Sequence, residues 1–349
     1  MVKGNKIDIG IVGCGNISDT HAEAINASEF GNLVAVCTRN PDRLRSFSNK
    51  YSIPGYHSYD EFLKNPNLDV VSICTPSGTH LNYGKKAAEA GKHVIVEKPI
   101  EINVARGFSL VEACRKYTVK LAVIYQNRFI ESVVRMKEIL GKNGIGKPFM
   151  ASASVKWFRD KQYYSQSDWR GTFKLDGGGA VINQSIHTID LLQWLLGDVE
   201  SVYAYTINST HEDIEAEDNA IAVLKFLNET ICVFQASTSI VPSQDRRIEV
   251  NGKKGTLILE GDNLTMVDDH KKTNLAKSHS SSAGAASPLD GLTFKNHLKQ
   301  YEKILNAINN SGEMVISGEE SLKSLAVVEA IYKSSKINQP VCINSIYEN

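Results

Sequence analysis

The sequence lacks the marks of several functional classes. Its 39 Lys and Arg are balanced by 39 Asp and Glu, with no basic run and no acidic tail, so its charge gives no support for a nucleic-acid or membrane-surface partner. No apolar run reaches the length of a bilayer-spanning helix, and the apolar stretch near the N-terminus is too short for a signal peptide. The six cysteines (Cys14, Cys37, Cys74, Cys114, Cys232 and Cys342) form no CxxC pair, and there is no HExxH. A zinc ribbon, a thioredoxin-type site and a metal centre are therefore not expected. Cysteines used as reduced, small core residues suit a reducing cytoplasm. What is present, 42% hydrophobic and 22% charged residues over 349 positions, suits a soluble globular chain of two ordinary domains or one very large one.

The first part alternates short apolar runs with helical patterns. "IDIGIVG" (7–13), "LVAVCT" (33–38), "VVSICTP" (70–76), "HVIVEKP" (93–99) and "KLAVIYQ" (120–126) read as strands, separated by helices near 17–25, 42–51, 82–91 and 105–117. Strands apolar on both faces, in regular turn with helices, indicate a parallel sheet covered by helices. After a helix near 132–141 come longer runs joined by short turns such as "LNET" and "NGKKG", which is antiparallel hairpin character. The expected division is a dinucleotide-binding α/β domain over 1–126 and an α+β domain over 127–349. The second domain carries a large, mostly antiparallel open sheet and two closing helices, near 294–310 and 319–337. Residues 271–291 are rich in Ser, Ala and Gly and read as a mobile loop within the second domain, either a plain excursion or a flap near substrate.

"GIVGCGNISDTH" places Gly13 and Gly15, with Asn16 and Ile17 adjoining, between the first strand and its helix. Gly13 permits a tight turn, and Gly15 removes a Cβ that would keep a pyrophosphate from the helix N-terminus. The third position of this glycine pattern is Ser18. A glycine turn serving packing alone is the alternative, but its place on a first strand–helix junction favours dinucleotide binding. The second strand ends in Thr38 and Arg39, where NAD-binding sheets usually carry an acid. Arg39 could pair with a 2′-phosphate, stack on an adenine or simply be solvated; the lack of an acid leans toward NADP. Thr75, Pro76 and His80 end the third unit at the same edge, although His80 could equally be a surface residue.

Glu97, Lys98 and Pro99 follow a buried strand at that edge, where ligands of doubly wound sheets bind. Desolvation there would suit Lys98 to proton transfer or substrate orientation. Pro99 restricts Lys98 to extended geometry and admits a cis bond. A strand-end cation paired with Glu97 is the plainer account. Further on, "LDGGGAVINQSIHTIDLLQWLLGDV" (175–199) reads as a flexible glycine turn before an apolar helix. Helical spacing puts Asn183, His187 and Asp190 on one side of it, with His187 the candidate general base and a partner to either side. A satisfied core histidine capped by Asp190 is the alternative.

"GIVGCGNIS", "CTPSGTH", "VEKP", "YQNRF" and "GGGAVINQSIHTIDLLQWLLG" together closely resemble the Gfo/Idh/MocA oxidoreductases, over nearly the whole chain. The resemblance implies hydride transfer between NAD(P) and a secondary hydroxyl of a cyclic polyol or sugar. Lys98 matches the family's EKP lysine and His187 its histidine. Asn183 stands where many members carry an aspartate, which removes a simple Asp–His relay and leaves Asp190 to hold the imidazole. Arg128 matches an arginine placed at substrate, with Gln126 and Asn127 beside the nicotinamide. Trp169 and Arg170 match a pair that contacts cofactor or substrate, and Glu97 is expected to serve the cofactor ribose or the charge of Lys98. "NQSIHTIDLL" is similar to a subgroup acting on nucleotide sugars such as UDP-N-acetylaminoglucuronate. Homodimers or homotetramers built on the second domain's sheet are common in the family. Internal redox catalysis on tightly held NAD, as in some glycosidases, and a non-catalytic sensor of the same fold are the rival activities.

Overall fold

Near-continuous apolar runs give buried strands, and the first unit is built from them. Its elements are β1 (Ile7–Val12), α1 (Ser18–Ala27), β2 (Gly31–Cys37), α2 (Pro41–Tyr51), β3 (Gly55–Tyr56), α3 (Tyr59–Leu63), β4 (Val70–Ile73), α4 (His80–Glu89), β5 (His93–Val96), α5 (Val104–Lys116) and β6 (Leu121–Val123). The computed structural model describes residues 6–269, 271–276 and 294–348. The strands form one parallel sheet in the order β3-β2-β1-β4-β5-β6. The order reverses between β1 and β4, so the loops leaving their carboxyl ends diverge and open a crevice there. Local chemistry sets the helix ends. Asn40 accepts hydrogen bonds from the Asp42 and Arg43 amides, Pro41 starts α2, and Ser52 stops it with φ +54°. The short β3 and α3 lie in a stretch for which no element was expected, because two and five residues are too few to show a period.

The second unit contains α6 (Glu131–Gly141), β7 (Pro148–Lys156), α7 (Lys161–Ser165), a π-helical turn (Ala180–Gln184), α8 (Ile186–Leu196), β8 (Val199–Ile207), β9 (Asn219–Phe226), β10 (Ile231–Ser237), β11 (Arg247–Gly252), β12 (Gly255–Glu260), β13 (Asn263–Val267) and β14 (Lys272–Ala276). The chain continues through α9 (Lys295–Asn309), α10 (Gly318–Ile337), β15 (Val341–Cys342) and α11 (Asn344–Tyr347). The nine-stranded sheet runs β14-β13-β12-β11-β7-β10-β9-β8-β15 and is antiparallel except between β7 and β10. Alternation along β9 buries Ala220, Ala222, Leu224 and Phe226 and turns Ile221, Val223 and Lys225 outward.

Two expectations change. The first unit comprises Met1–Glu101, Arg106–Gln126 and Thr293–Leu322, and the second Ile102–Ala105, Asn127–Leu292 and Lys323–Asn349. A division into 1–126 and 127–349 therefore leaves α9 on the wrong side. Its stripe of Tyr301, Ile304 and Leu305 joins the core of β1, β2 and α1, and burying each such side chain stabilises by roughly 1.5–3 kcal/mol. Sequence order cannot show which of two cores a late helix will find. Secondly, Lys272–Ala276, expected within a mobile loop, pairs with β13 as an edge strand; residues 277–291 of that loop lie outside the described residues. No described helix is long and apolar enough to cross a membrane.

Candidate active site

The glycine turn follows β1 at the switch point of the parallel sheet. Gly13 has φ +97°, and a Cβ there would lie 2.6 Å from the Cys74 carbonyl oxygen, so the approach of the β1 and β4 ends requires glycine. Gly15 is different. A Cβ on it would meet nothing closer than that same carbonyl, at 4.0 Å. Packing does not demand this glycine, and the open space at the head of α1 fits the access a pyrophosphate needs. At the third position of the pattern, the Ser18 hydroxyl donates to the Gly15 carbonyl at 2.6 Å and ties the turn to the helix. Asn16 and Arg39 are exposed, and Ile17, Thr38, Thr75 and Pro76 are half-buried. Thr75 reaches the turn, with its methyl 3.0 Å from the position of a Gly13 Cβ.

His80 is not a surface residue. It is 1% exposed, and its ring nitrogens lie 2.9 Å from the Thr75 and Pro99 carbonyls, so it links the ends of β4 and β5. Burial lowers its pKa, and a neutral ring can donate to only one of the two. The Lys98–Pro99 bond is cis, and Lys98 is half-buried among buried neighbours. Gln126 is buried and Asn127 half-buried.

Glu97 has partners that the sequence did not indicate. One carboxylate oxygen lies 2.8 Å from Nε2 of His21 and 3.8 Å from Nε2 of His297, and the other accepts from the Lys98 amide at 3.0 Å. Burial works against both charged forms of the His21–Glu97 pair. The groups around His21, Cys74, Tyr301 and Glu97 among them, outweigh it and hold the imidazole well above its usual value. His21 and His297 likewise hold Glu97 well below the usual carboxylate range, against burial. The carboxylate thus takes part in this cluster. Ligand atoms of His21, Glu97 and His297 lie within 4.8 Å of one another, near enough to share a cation. The 2.8 Å separation of His21 and Glu97 is that of a charge-assisted hydrogen bond, which supplies the counter-charge without one.

In the second unit the three glycines are buried rather than flexible. A Cβ on Gly179 would lie 1.9 Å from the Glu217 carbonyl oxygen and one on Gly178 2.1 Å from the Tyr332 hydroxyl. Close approach, not mobility, selects them. The Glu217 carboxylate accepts from the amides of Gly179 (3.1 Å) and Val181 (2.8 Å) and from the Tyr332 hydroxyl (3.1 Å). Asn183 lies in the π-helical turn and His187 in α8, with Ser185 between them, so the two do not share one regular α-helix. The Asn183 amide donates to Asp176 at 2.6 Å, and its oxygen accepts from Gln184 at 2.9 Å. Gln184 donates to the Tyr163 hydroxyl and accepts from Arg159. Arg170 stacks 4.1 Å from the Tyr163 ring centroid and lies 5.7 Å from Trp169. His187 is half-buried.

Arg128 and Asp190 form a buried ion pair. Arg128 donates through Nε (2.8 Å) and Nη2 (2.6 Å) to the two Asp190 oxygens, and both side chains are buried. Arg128 is thus a counter-ion of Asp190, and Asp190 is engaged beyond any service to His187. Asp176, Glu217, Arg159, Gln184 and Tyr163 were missed as site candidates. Only the "AED" preceding β9 and the Asp before the three glycines could have signalled the two acids.

Comparison with known proteins agrees with this architecture. Residues 7–125 match the oxidoreductase-family model for its NAD-binding Rossmann fold, and residues 137–343 match its C-terminal alpha/beta domain (GFO_IDH_MocA). A myo-inositol 2-dehydrogenase from Thermotoga maritima is 30% identical over 264 residues, 74% of this chain and 77% of that protein. A D-apiose dehydrogenase from Paraburkholderia graminis is 26% identical over 96% of this chain and 89% of its own length. The crystal structure of the WlbA dehydrogenase from Bordetella pertussis, in complex with NADH and UDP-GlcNAcA, superposes with a TM-score of 0.85 at 32% identity. It covers 97% of this chain and 99% of its own.

Proposed function

Because the chain belongs to the Gfo/Idh/MocA oxidoreductase family, we propose that it oxidises or reduces a secondary hydroxyl of a cyclic polyol, a sugar or a nucleotide sugar, with Lys98 and His187 as its catalytic residues. The carrying observation is the turn at Gly15, whose missing Cβ faces open space that packing does not require. Gly13, Gly15, Asn16 and Ile17 hold the cofactor phosphates against the α1 N-terminus. The bound nicotinamide supplies the hydride acceptor or donor. His187 takes the hydroxyl proton on a ring nitrogen, and the Lys98 ammonium stabilises the charge developing on that oxygen. The network of Asp176, Asn183 and Gln184 fixes the turn leading into α8. A nucleotide sugar is the preferred substrate class, on the likeness to WlbA.

With no acid at the end of β2 and Arg39 exposed there, NADP should be accepted at least as well as NAD. The outer face of the second unit's sheet exposes Tyr205, Ile207, Ile221, Val223, Ile231 and Val233. A second copy of the chain would cover it in a homodimer or homotetramer, which light scattering reads. The test of function is a panel of polyols, sugars and UDP-sugars with both cofactors. Lys98→Ala and His187→Ala should each lower kcat about 100-fold or more without weakening cofactor binding. Intact turnover in both variants rejects the assignment.

A further inference from the structure

His21, Ser72, Glu97, His297 and Tyr301 form a buried polar cluster that the chemistry above does not use. Four elements supply it: α1, β4, the end of β5 and α9. We propose that His21, with Tyr301 and His297 behind it, is a positioning residue for Lys98 and acts through Glu97. The proposal rests on the assignment of Lys98 to catalysis.

The Glu97 amide donates to the Ile73 carbonyl and continues the sheet ladder. Beyond it, the Lys98 amide turns to a side chain, the Glu97 carboxylate. The direction in which the chain leaves the sheet therefore depends on where that carboxylate sits. A buried carboxylate without a counter-charge would take up a proton or draw in water. His21 prevents this with a 2.8 Å contact from Nε2. The ring is fixed in turn at Nδ1, 2.8 Å from the Tyr301 hydroxyl and 3.2 Å from Ser72 Oγ. Ser72 and Tyr301 hydrogen-bond to each other at 2.8 Å. His297 packs on His21 with ring centroids 5.3 Å apart and limits movement of Glu97 on that side. Packing alone would be served by apolar residues of similar volume, which avoid the cost of burying charge. The hydrogen bonds that join Glu97, His21, Tyr301 and Ser72 instead fix one geometry, and a small displacement of a catalytic group can cost about 100-fold in rate.

The test compares His21→Gln, Tyr301→Phe and Lys98→Ala in the full chain. His21→Gln retains a donor but loses the charge. Tyr301→Phe removes one hydroxyl, keeps the ring and carries the test should His21→Gln fail to fold. Hydrogen exchange at the Lys98 amide is the first readout, and turnover of UDP-GlcNAcA and of myo-inositol with NAD and NADP is the second. Both positioning variants should speed Lys98 exchange about 10-fold while the amides of His93–Val96 keep their protection. They should lower kcat about 10-fold with cofactor affinity unchanged, and should lower it no further in a Lys98→Ala background. Unaltered Lys98 exchange overturns the proposal, and so does a kcat loss that adds in full to that of Lys98→Ala. If Lys98→Ala leaves turnover intact, the catalytic reading of Lys98 fails instead. In that case, or where neither probe is turned over, exchange alone decides positioning.

Discussion

Glu217 carries a prediction whose sign separates two opposed effects. Its carboxylate is buried and receives three donors, the Gly179 and Val181 amides and the Tyr332 hydroxyl. Burial favours the neutral acid and the donors favour the anion. Burial wins, and the pKa rises from 4.5 to about 7. A folded-state pKa above the unfolded value means that the native state binds the extra proton between those limits. The stabilisation is therefore fully present below pH 4.5 and is lost as pH rises through about 7. A rise of that size corresponds to about 3 kcal/mol. Glu217→Gln removes the titration with little change of shape. All three tryptophans, Trp157, Trp169 and Trp194, lie in the second unit, so urea unfolding followed by tryptophan fluorescence reads the unit that holds Glu217. The stability of the native chain relative to Glu217→Gln should fall by about 3 kcal/mol between pH 4.5 and 8. A difference that stays constant, or one that grows with pH because the donors win, would refute the reasoning.

The two glycines of the turn should separate fold from cofactor. Gly13→Ala places a methyl 2.6 Å from the Cys74 carbonyl oxygen at φ +97° and should cost about 1–3 kcal/mol of stability in thermal or urea unfolding. Gly15→Ala, with no atom nearer than 4.0 Å, should leave unfolding within about 0.5 kcal/mol while cofactor affinity, read by fluorescence titration, falls at least tenfold. Arg128→Met leaves the Asp190 carboxylate buried without its bidentate partner and should destabilise the second unit by about 3–5 kcal/mol in tryptophan-monitored unfolding. Adding Asp190→Leu should recover much of that loss.

Most of the fold is legible in the sequence because long, strongly patterned elements carry their own signal. The five apolar runs of the first unit, the alternation in β9 and the hairpin turns all follow from side-chain period and turn residues. So does the expected place of the site, at the strand ends of a doubly wound sheet, where ligands bind. The partners of the site residues are not legible. Asp190 stands three positions after His187, which suggests a pair, but nothing in the sequence shows that its carboxylate also receives Arg128 from a distant segment. The π-helical turn at Ala180–Gln184 interrupts the regular helical spacing assumed for Asn183 and His187, and the Glu217 carboxylate that receives the Gly179 and Val181 amides at its start comes more than thirty residues later.

The sequence by itself determined the order of the elements, the parallel sheet, the glycine turn and the residue types that carry the chemistry, because each is set by neighbours within a few positions. Tertiary structure alone decided that α9 completes the first unit and that Glu97 pairs with His21. It also decided that the three glycines are there for close packing rather than movement. These outcomes depend on which buried polar and apolar groups meet across long stretches of chain, where desolvation must be matched by a partner that local pattern cannot name.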